Sequence, residues 1–186
     1  MVEKTNKRTE AIKFYEKYLK IVFYENSLKL FKKIGYKAGE SACYRNLGVI
    51  YYNLSDFRKA IEFLENSLKI KKEIGDKAGE SACYTNLGIA YQSLGDSRKA
   101  IEFLENSLKI KKKIRDKAGE SVCYGNLGVA YYSLGDFKKA IEFLENSLKI
   151  KKEIGDKAGE SACYTNLGIA YQSLGDSRKA IEFPEN

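Results

Sequence analysis

Four asparagines, Asn46, Asn86, Asn126 and Asn166, recur at a constant spacing of 40 residues. A carboxamide carries both a donor and an acceptor, so it can pair with a polypeptide backbone whatever side chains that backbone bears. Four cysteines, Cys43, Cys83, Cys123 and Cys163, keep the same spacing. A zinc site or a disulfide framework would show close pairs such as Cys-x-x-Cys. Here each cysteine stands alone among small and apolar neighbours, as expected of a buried reduced thiol. Glu40, Glu80, Glu120 and Glu160 also repeat in register, near expected helix starts where a carboxylate is favoured electrostatically. The chain has no histidine, no glycine-rich phosphate loop, and no acid or nucleophile outside the repeat. No catalytic residue, metal ligand or cofactor is expected, and the chain reads as a non-enzyme.

The elements that must hold these residues follow from the repeat itself. Asp76 through Gly88 recurs unchanged as Asp156 through Gly168, and the agreement continues to Phe183. The segments beginning at Tyr36 and Asp116 are close variants. Each unit contains two helical patterns. In the first, Cys43, Tyr44, Leu47, Gly48, Ile50, Tyr51 and Leu54 fall at three-to-four-residue steps and make one packing face. The second runs Phe57, Ala60, Ile61, Leu64, Leu68 and Ile74, widened by Phe63, Ser67 and Ile70. So wide a stripe suits a helix held between its own partner and the next repeat. Gly95-Asp96, Gly135-Asp136 and Gly175-Asp176 separate the two patterns, with Ser55-Asp56 in the first unit; glycine accepts a left-handed helix ending and aspartate caps the helix that follows. Gly48 and Ala60, with their equivalents, are expected where two helices cross closely. Tyr44 and Tyr51 fill the adjoining space, which leaves little room for a base-stacking platform.

Composition bounds the rest. The 186 residues are 44% hydrophobic and 31% charged, with one proline and no tryptophan, a profile of long helices in a globular chain. The net charge of +8 is interleaved rather than clustered. Glu65 precedes Lys69, and Glu105 precedes Lys109, by the four residues that favour pairing on a solvated helix face. A nucleic-acid partner needs unopposed cations and is not expected. No stretch approaches the roughly 20 apolar residues of a membrane span, so no membrane partner is expected either. The charged start, Met1 to Arg8, lacks a secretory apolar region, and the default address is cytoplasmic.

The unit resembles the tetratricopeptide repeat. Tyr44, Leu47, Gly48, Tyr51, Ala60 and Leu64 stand at the spacings of that family's aromatic, Leu-Gly, aromatic, alanine and large-apolar positions, and the set recurs from Tyr84, Tyr124 and Tyr164. The common repeat is shorter, and its usual proline near the end of the second helix is replaced here by Lys72, Lys112 or Lys152. A longer unit with Asn-Leu-Gly and a Gly-Asp-Lys-Ala-Gly-Glu connection is similar to the Leu-Gly-Asn repeats of Pins-like polarity adaptors and to the repeats of kinesin light chains. The resemblance implies an all-α fold, a right-handed superhelical array of antiparallel helix pairs. It divides the chain into a divergent helical segment over 1–35, repeats over 36–75, 76–115 and 116–155, and a truncated repeat over 156–186. It also implies a protein or peptide partner, held as an extended segment in the concave groove.

The first helix of each unit keeps a face outside its packing stripe. It carries Ala42, Arg45, Asn46, Val49, Tyr52 and Asn53 in one unit, and Ala82, Thr85, Asn86, Ile89, Gln92 and Ser93 in the next. First helices roughly 8–10 Å apart would set one asparagine against about every third residue of an extended peptide rising about 3.3 Å per residue. Tyr52, Tyr132, Gln92 and Gln172 would add selectivity, with Arg45 attracting an acidic group; its equivalents are Thr85, Gly125 and Thr165, so no repeated carboxylate clamp is expected. The alternative is that each asparagine bonds a neighbouring helix and fixes the repeat stack.

Both ends depart from the pattern. Ala11, Phe14, Tyr18, Ile21, Tyr24, Leu28 and Phe31 fit one continuous stripe, widened by Tyr15, Leu19, Val22 and Phe23, and predict a single long helix over about 6–34. The last unit stops at Ile181-Glu182-Phe183-Pro184 without the polar cap a solenoid needs. Its open face predicts either a longer array or a homo-oligomer.

Overall fold

Each repeat alternates a helix with a narrow apolar face and one with a broad face, joined by turns too short for anything but an antiparallel return. The computed structural model describes residues 2–176 and 179–180, with side chains from residue 17 onward. Among the described residues every regular element is an α-helix. Most of the last unit's second helix, and the open face expected at Ile181 to Pro184, lie outside them, as do the side chains of Ala11, Phe14 and Tyr15. The chain divides into two units, Met1–Asp76 and Lys77–Asn186.

The first unit holds α1 (Val2–Ile34), α2 (Lys37–Asn53) and α3 (Phe57–Glu73). The long helix expected from the stripe is α1. Its Ile21, Tyr24 and Leu28 pack on a core of Leu47, Tyr51 and Ala60. Tyr18, Leu19 and Phe23 do not join them and are 53–65% exposed. At about 1.5 Å per residue, the 33-residue α1 is nearly twice as long as the 17-residue α2 beside it, so one face of α2 cannot cover the whole stripe. Leu54 and Ile74, placed on the packing faces by periodicity, are exposed at helix C-caps, where the chain turns away from its partner.

The second unit holds α4 (Lys77–Ser93), α5 (Ser97–Lys113), α6 (Lys117–Ser133), α7 (Phe137–Ile154) and α8 (Lys157–Leu174). Each helix packs on the next, and α4, α6 and α8 also touch in succession. Leu104, Leu127 and Leu167 are fully buried. The close crossings expected at the Leu-Gly positions are present: a Cβ on Gly128 would stand 2.6 Å from Leu144 Cγ and 3.2 Å from the Ala140 carbonyl oxygen. Asp96 and Asp136 accept from the backbone N–H of Lys99 and Lys139 at 3.1 and 3.2 Å, and Asp116 and Asp156 from Gly119 and Gly159 at 2.8 and 2.9 Å. These are the caps the turn aspartates predict.

The tyrosines pack as expected. Tyr91 stacks on Phe103 at 5.2 Å, with Lys99 Nζ 5.1 Å from the Tyr91 ring centre; Tyr131 repeats the arrangement with Phe143 and Lys139. A phenyl ring against one of these tyrosines and an ammonium over its ring leave no open platform for a base.

Candidate peptide-binding wall

The repeating first helices of the second unit place Asn86 on α4, Asn126 on α6 and Asn166 on α8, all half-buried. None of the three carboxamides hydrogen-bonds another described residue, whereas Asn146, on a second helix, donates to the Glu142 carbonyl at 2.9 Å. Asn126 and Asn166 line a groove between α6 and α8. Val129 and Asn166 border this groove along much of its length, with Leu144 of α7 at its floor. Asn46 is half-buried on α2 in the first unit, and Arg45 beside it is exposed.

The residues expected to give selectivity are placed differently. Gln92 Nε2 donates to Ser133 Oγ at 2.8 Å, from α4 to α6, and its Oε1 is buried without a partner among the described residues. The Tyr132 hydroxyl lies 3.0 Å from Ser173 Oγ, from α6 to α8, and its ring packs 5.3 Å from Phe137. Both tie neighbouring first helices together. Tyr52 packs its ring 5.5 Å from Phe57, and Gln172 is exposed.

Sequence periodicity missed a second set of polar contacts. Lys111 Nζ meets Asp116 Oδ2 at 2.6 Å, and Lys151 meets Asp156 at 2.9 Å. That hydrogen bond from Lys111, and then the Gly119 N–H, hold the Asp116 carboxyl below its usual value. For Asp156 the Gly159 N–H leads, followed by Lys151. Glu120 and Glu160 are buried and paired with Lys117 and Lys157 three residues earlier. Glu105 and Lys109, expected to pair, form no ion pair with each other among the described residues. The lysines standing where the family has proline lie over tyrosines, Lys112 Nζ 5.2 Å from the Tyr124 ring centre and Lys152 5.3 Å from that of Tyr164. The hydrogen bond with Tyr164 raises the Lys152 pKa.

The cysteines are all buried thiols, and burial pushes the Cys43 thiol up. Two of them link neighbouring repeats: Cys123 Sγ on α6 donates to Ser107 Oγ on α5 at 3.3 Å, and Cys163 on α8 to Ser147 on α7 at 3.4 Å. Among the described residues no group of three or more acidic or cysteine side chains could hold a metal ion. No described helix is long and apolar enough to cross a membrane.

The model of the tetratricopeptide repeat matches residues 45–113, 80–153 and 119–183, together most of the chain. The chain belongs to the tetratricopeptide repeat family. Solved structures similar to this tetratricopeptide repeat protein include BtubC (BKLC) from P. vanneervenii, at 27% identity and a TM-score of 0.74, over 79% of this chain and 61% of that one. A Signal Transduction ATPase with Numerous Domains (STAND) protein with a tetratricopeptide repeat sensor, from Pyrococcus horikoshii, is 26% identical, with a TM-score of 0.73 over 86% of this chain and 25% of that one. This chain therefore spans less than two thirds of either protein. A putative kinesin light chain of Podosopora anserina with nearly identical TPR-like repeats shares the fold at 22% identity and a TM-score of 0.67, over 91% and 90% of the two chains. A search of curated proteins gave no match.

Proposed function

We propose that this tetratricopeptide repeat protein is an interaction scaffold that takes an extended segment of a partner protein along the wall formed by its first helices. Tetratricopeptide repeat proteins in general mediate protein–protein interaction; the finer reading is that Asn86, Asn126 and Asn166 pair with the partner's backbone, with Asn46 offering the same group in the first unit. The observation that carries it is the groove between α6 and α8, bordered by Asn126 and Asn166, whose carboxamides hydrogen-bond no described residue. A repeated amide that builds no part of the fold has its donor and acceptor available to another chain. Repeats 36–75, 76–115, 116–155 and 156–186 are the successive modules of this scaffold, and a cytoplasmic address belongs to the same reading. The test is capture of peptides from a synthetic library by the chain and by an Asn86→Ala, Asn126→Ala variant. Weaker capture at unchanged helical content supports the reading, and equal capture removes the asparagines from it.

Exposed Tyr18, Leu19, Phe23, Leu30 and Ile34 on α1 favour a second reading, self-association through that helix. Light scattering over a concentration series decides it: a mass that rises with concentration supports the oligomer, and a strict monomer ends it.

A further inference from the structure

In the repeat of α4 and α5, the Thr85 hydroxyl lies 2.8 Å from Ser107 Oγ and 3.7 Å from Cys123 Sγ, so the threonine side chain covers the buried Ser107–Cys123 pair. One repeat later the equivalent of Thr85 is Gly125, the only glycine among Arg45, Thr85, Gly125 and Thr165. Ser147 and Cys163 repeat the buried pair at 3.4 Å, with no threonine hydroxyl beside it. Beside it the groove between α6 and α8 holds a space of about 210 Å³, lined among others by Val122, Gly125, Asn126, Ser147, Cys163 and Asn166.

The fold does not need this glycine. Gly125 is helical, with no left-handed backbone to accommodate, and a Cβ there would meet only Ser147 Oγ, at an ordinary 3.4 Å. Gly128, three residues on, is held by a close crossing. Gly125 therefore carries the helix-interior cost of glycine with only the open space in return.

Resting on the binding reading above, we infer that this cavity is the specificity pocket of the wall, and that it takes one aliphatic side chain, of leucine, isoleucine or methionine size, from an extended peptide whose backbone pairs with Asn126 and Asn166. The chemistry of the lining selects that occupant. Val122, Ala162 and Leu144 supply apolar walls. The Ser147 hydroxyl is already committed, donating to the Ser121 carbonyl at 2.8 Å and accepting from Cys163. Lys151 at the rim is neutralised by Asp156 at 2.9 Å. No polar atom in the pocket demands a charged or hydrogen-bonding guest, and only the amides at its mouth are open. A cavity of about 150 Å³ already holds a benzene molecule, so the space suffices for one such side chain.

Gly125→Thr intrudes on this space with the residue that the fold already carries at 85 and 165. A combinatorial library of synthetic twelve-residue peptides is selected on the full chain, and the recovered peptides are measured on both proteins. The expected result is enrichment of an aliphatic residue at one position, and binding to Gly125→Thr roughly ten- to a hundredfold weaker, the worth of burying one such side chain. Circular dichroism is expected to show that the variant keeps its helices and melts no lower than the original chain. Recovered peptides without an aliphatic preference, or equal affinity for both proteins, overturn the pocket. If Asn126→Ala weakens the same peptides while Gly125→Thr does not, only the pocket falls; if the original chain captures no peptide, the binding reading falls and the pocket with it.

Discussion

The rings of Phe31 and Tyr36 meet edge to face with their centres 5.3 Å apart, in the positions where Lys111 and Asp116 form an ion pair at 2.6 Å. An aromatic pair thus closes the first turn, and a charged pair closes the later ones. Both need the glycine that follows: a Cβ on Gly39 would strike Tyr36 and Phe31, and one on Gly119 would strike Asp116 and Lys111. The two partners must change together. Phe31→Lys or Tyr36→Asp alone is expected to lower stability by about 1 kcal/mol, in the range of one aromatic pair. The double variant is expected to recover at least half of the summed loss, since it rebuilds the later turns' pair. Thermal melts of the three variants measure this coupling, and strictly additive losses would contradict it.

Gly125 and Gly128 lie three residues apart on α6 and should respond to alanine with opposite signs. Gly128→Ala forces a methyl to 2.6 Å from Leu144 Cγ, and overpacking of this kind costs about 1–3 kcal/mol, more than the roughly 1 kcal/mol gained in helix propensity. Gly125→Ala meets no such obstacle and should gain most of that propensity. Urea denaturation of the two variants shows whether one midpoint falls while the other rises.

Arg115 adopts φ 60 at a turn where Gly75 and Gly155 stand in neighbouring repeats, as does Ser55 where Gly95 and Gly135 stand. A side chain in the left-handed region costs about 1–2 kcal/mol. Arg115→Gly should therefore raise the melting temperature, and Ser55→Gly should do the same. Lowered melting temperatures would show that these side chains make contacts worth more than the strain.

Acid should weaken the turns that Asp116 and Asp156 close. Their folded pKa values are lowered, so their stabilisation is fully present above the ordinary carboxylate value of about 3.9. It is lost as the pH falls through the folded values. Melting temperatures should hold steady from neutral pH down to about 5 and decline below about 4. An Asp116→Asn, Asp156→Asn variant should start lower at neutral pH and decline less steeply. Parallel curves would show that neither carboxylate contributes.

The fold could be read from the sequence because its determinants are local or repeated. Gly128, Ala140 and Leu144 mark a close crossing, as do their equivalents at Gly48 and Gly88, and Asp136 sits one residue before the helix it caps. The Lys111–Asp116 pair escaped because its members are five residues apart with a left-handed turn between them, a separation that no helical face brings together. Gln92 and Tyr132 point along the expected wall, but their bonds to Ser133 and Ser173 cross between helices 41 residues apart, and one helix viewed alone shows no such partner. The Gly125 cavity is legible as an irregularity among equivalent positions, Arg45, Thr85, Gly125 and Thr165. Its meaning needed the contacts that Thr85 makes.

The central claim is that the first-helix carboxamides grip a partner's backbone, and the side-chain amide resonances of a nitrogen-15-labelled chain report on it directly. On titration with a library-selected peptide, the Asn126 and Asn166 side-chain signals should shift. Those of Asn66 and Asn146, which already donate to their own helices at 2.8 and 2.9 Å, should stay in place. Shifts confined to Asn66 and Asn146, with Asn126 and Asn166 unmoved at saturation, would contradict the account.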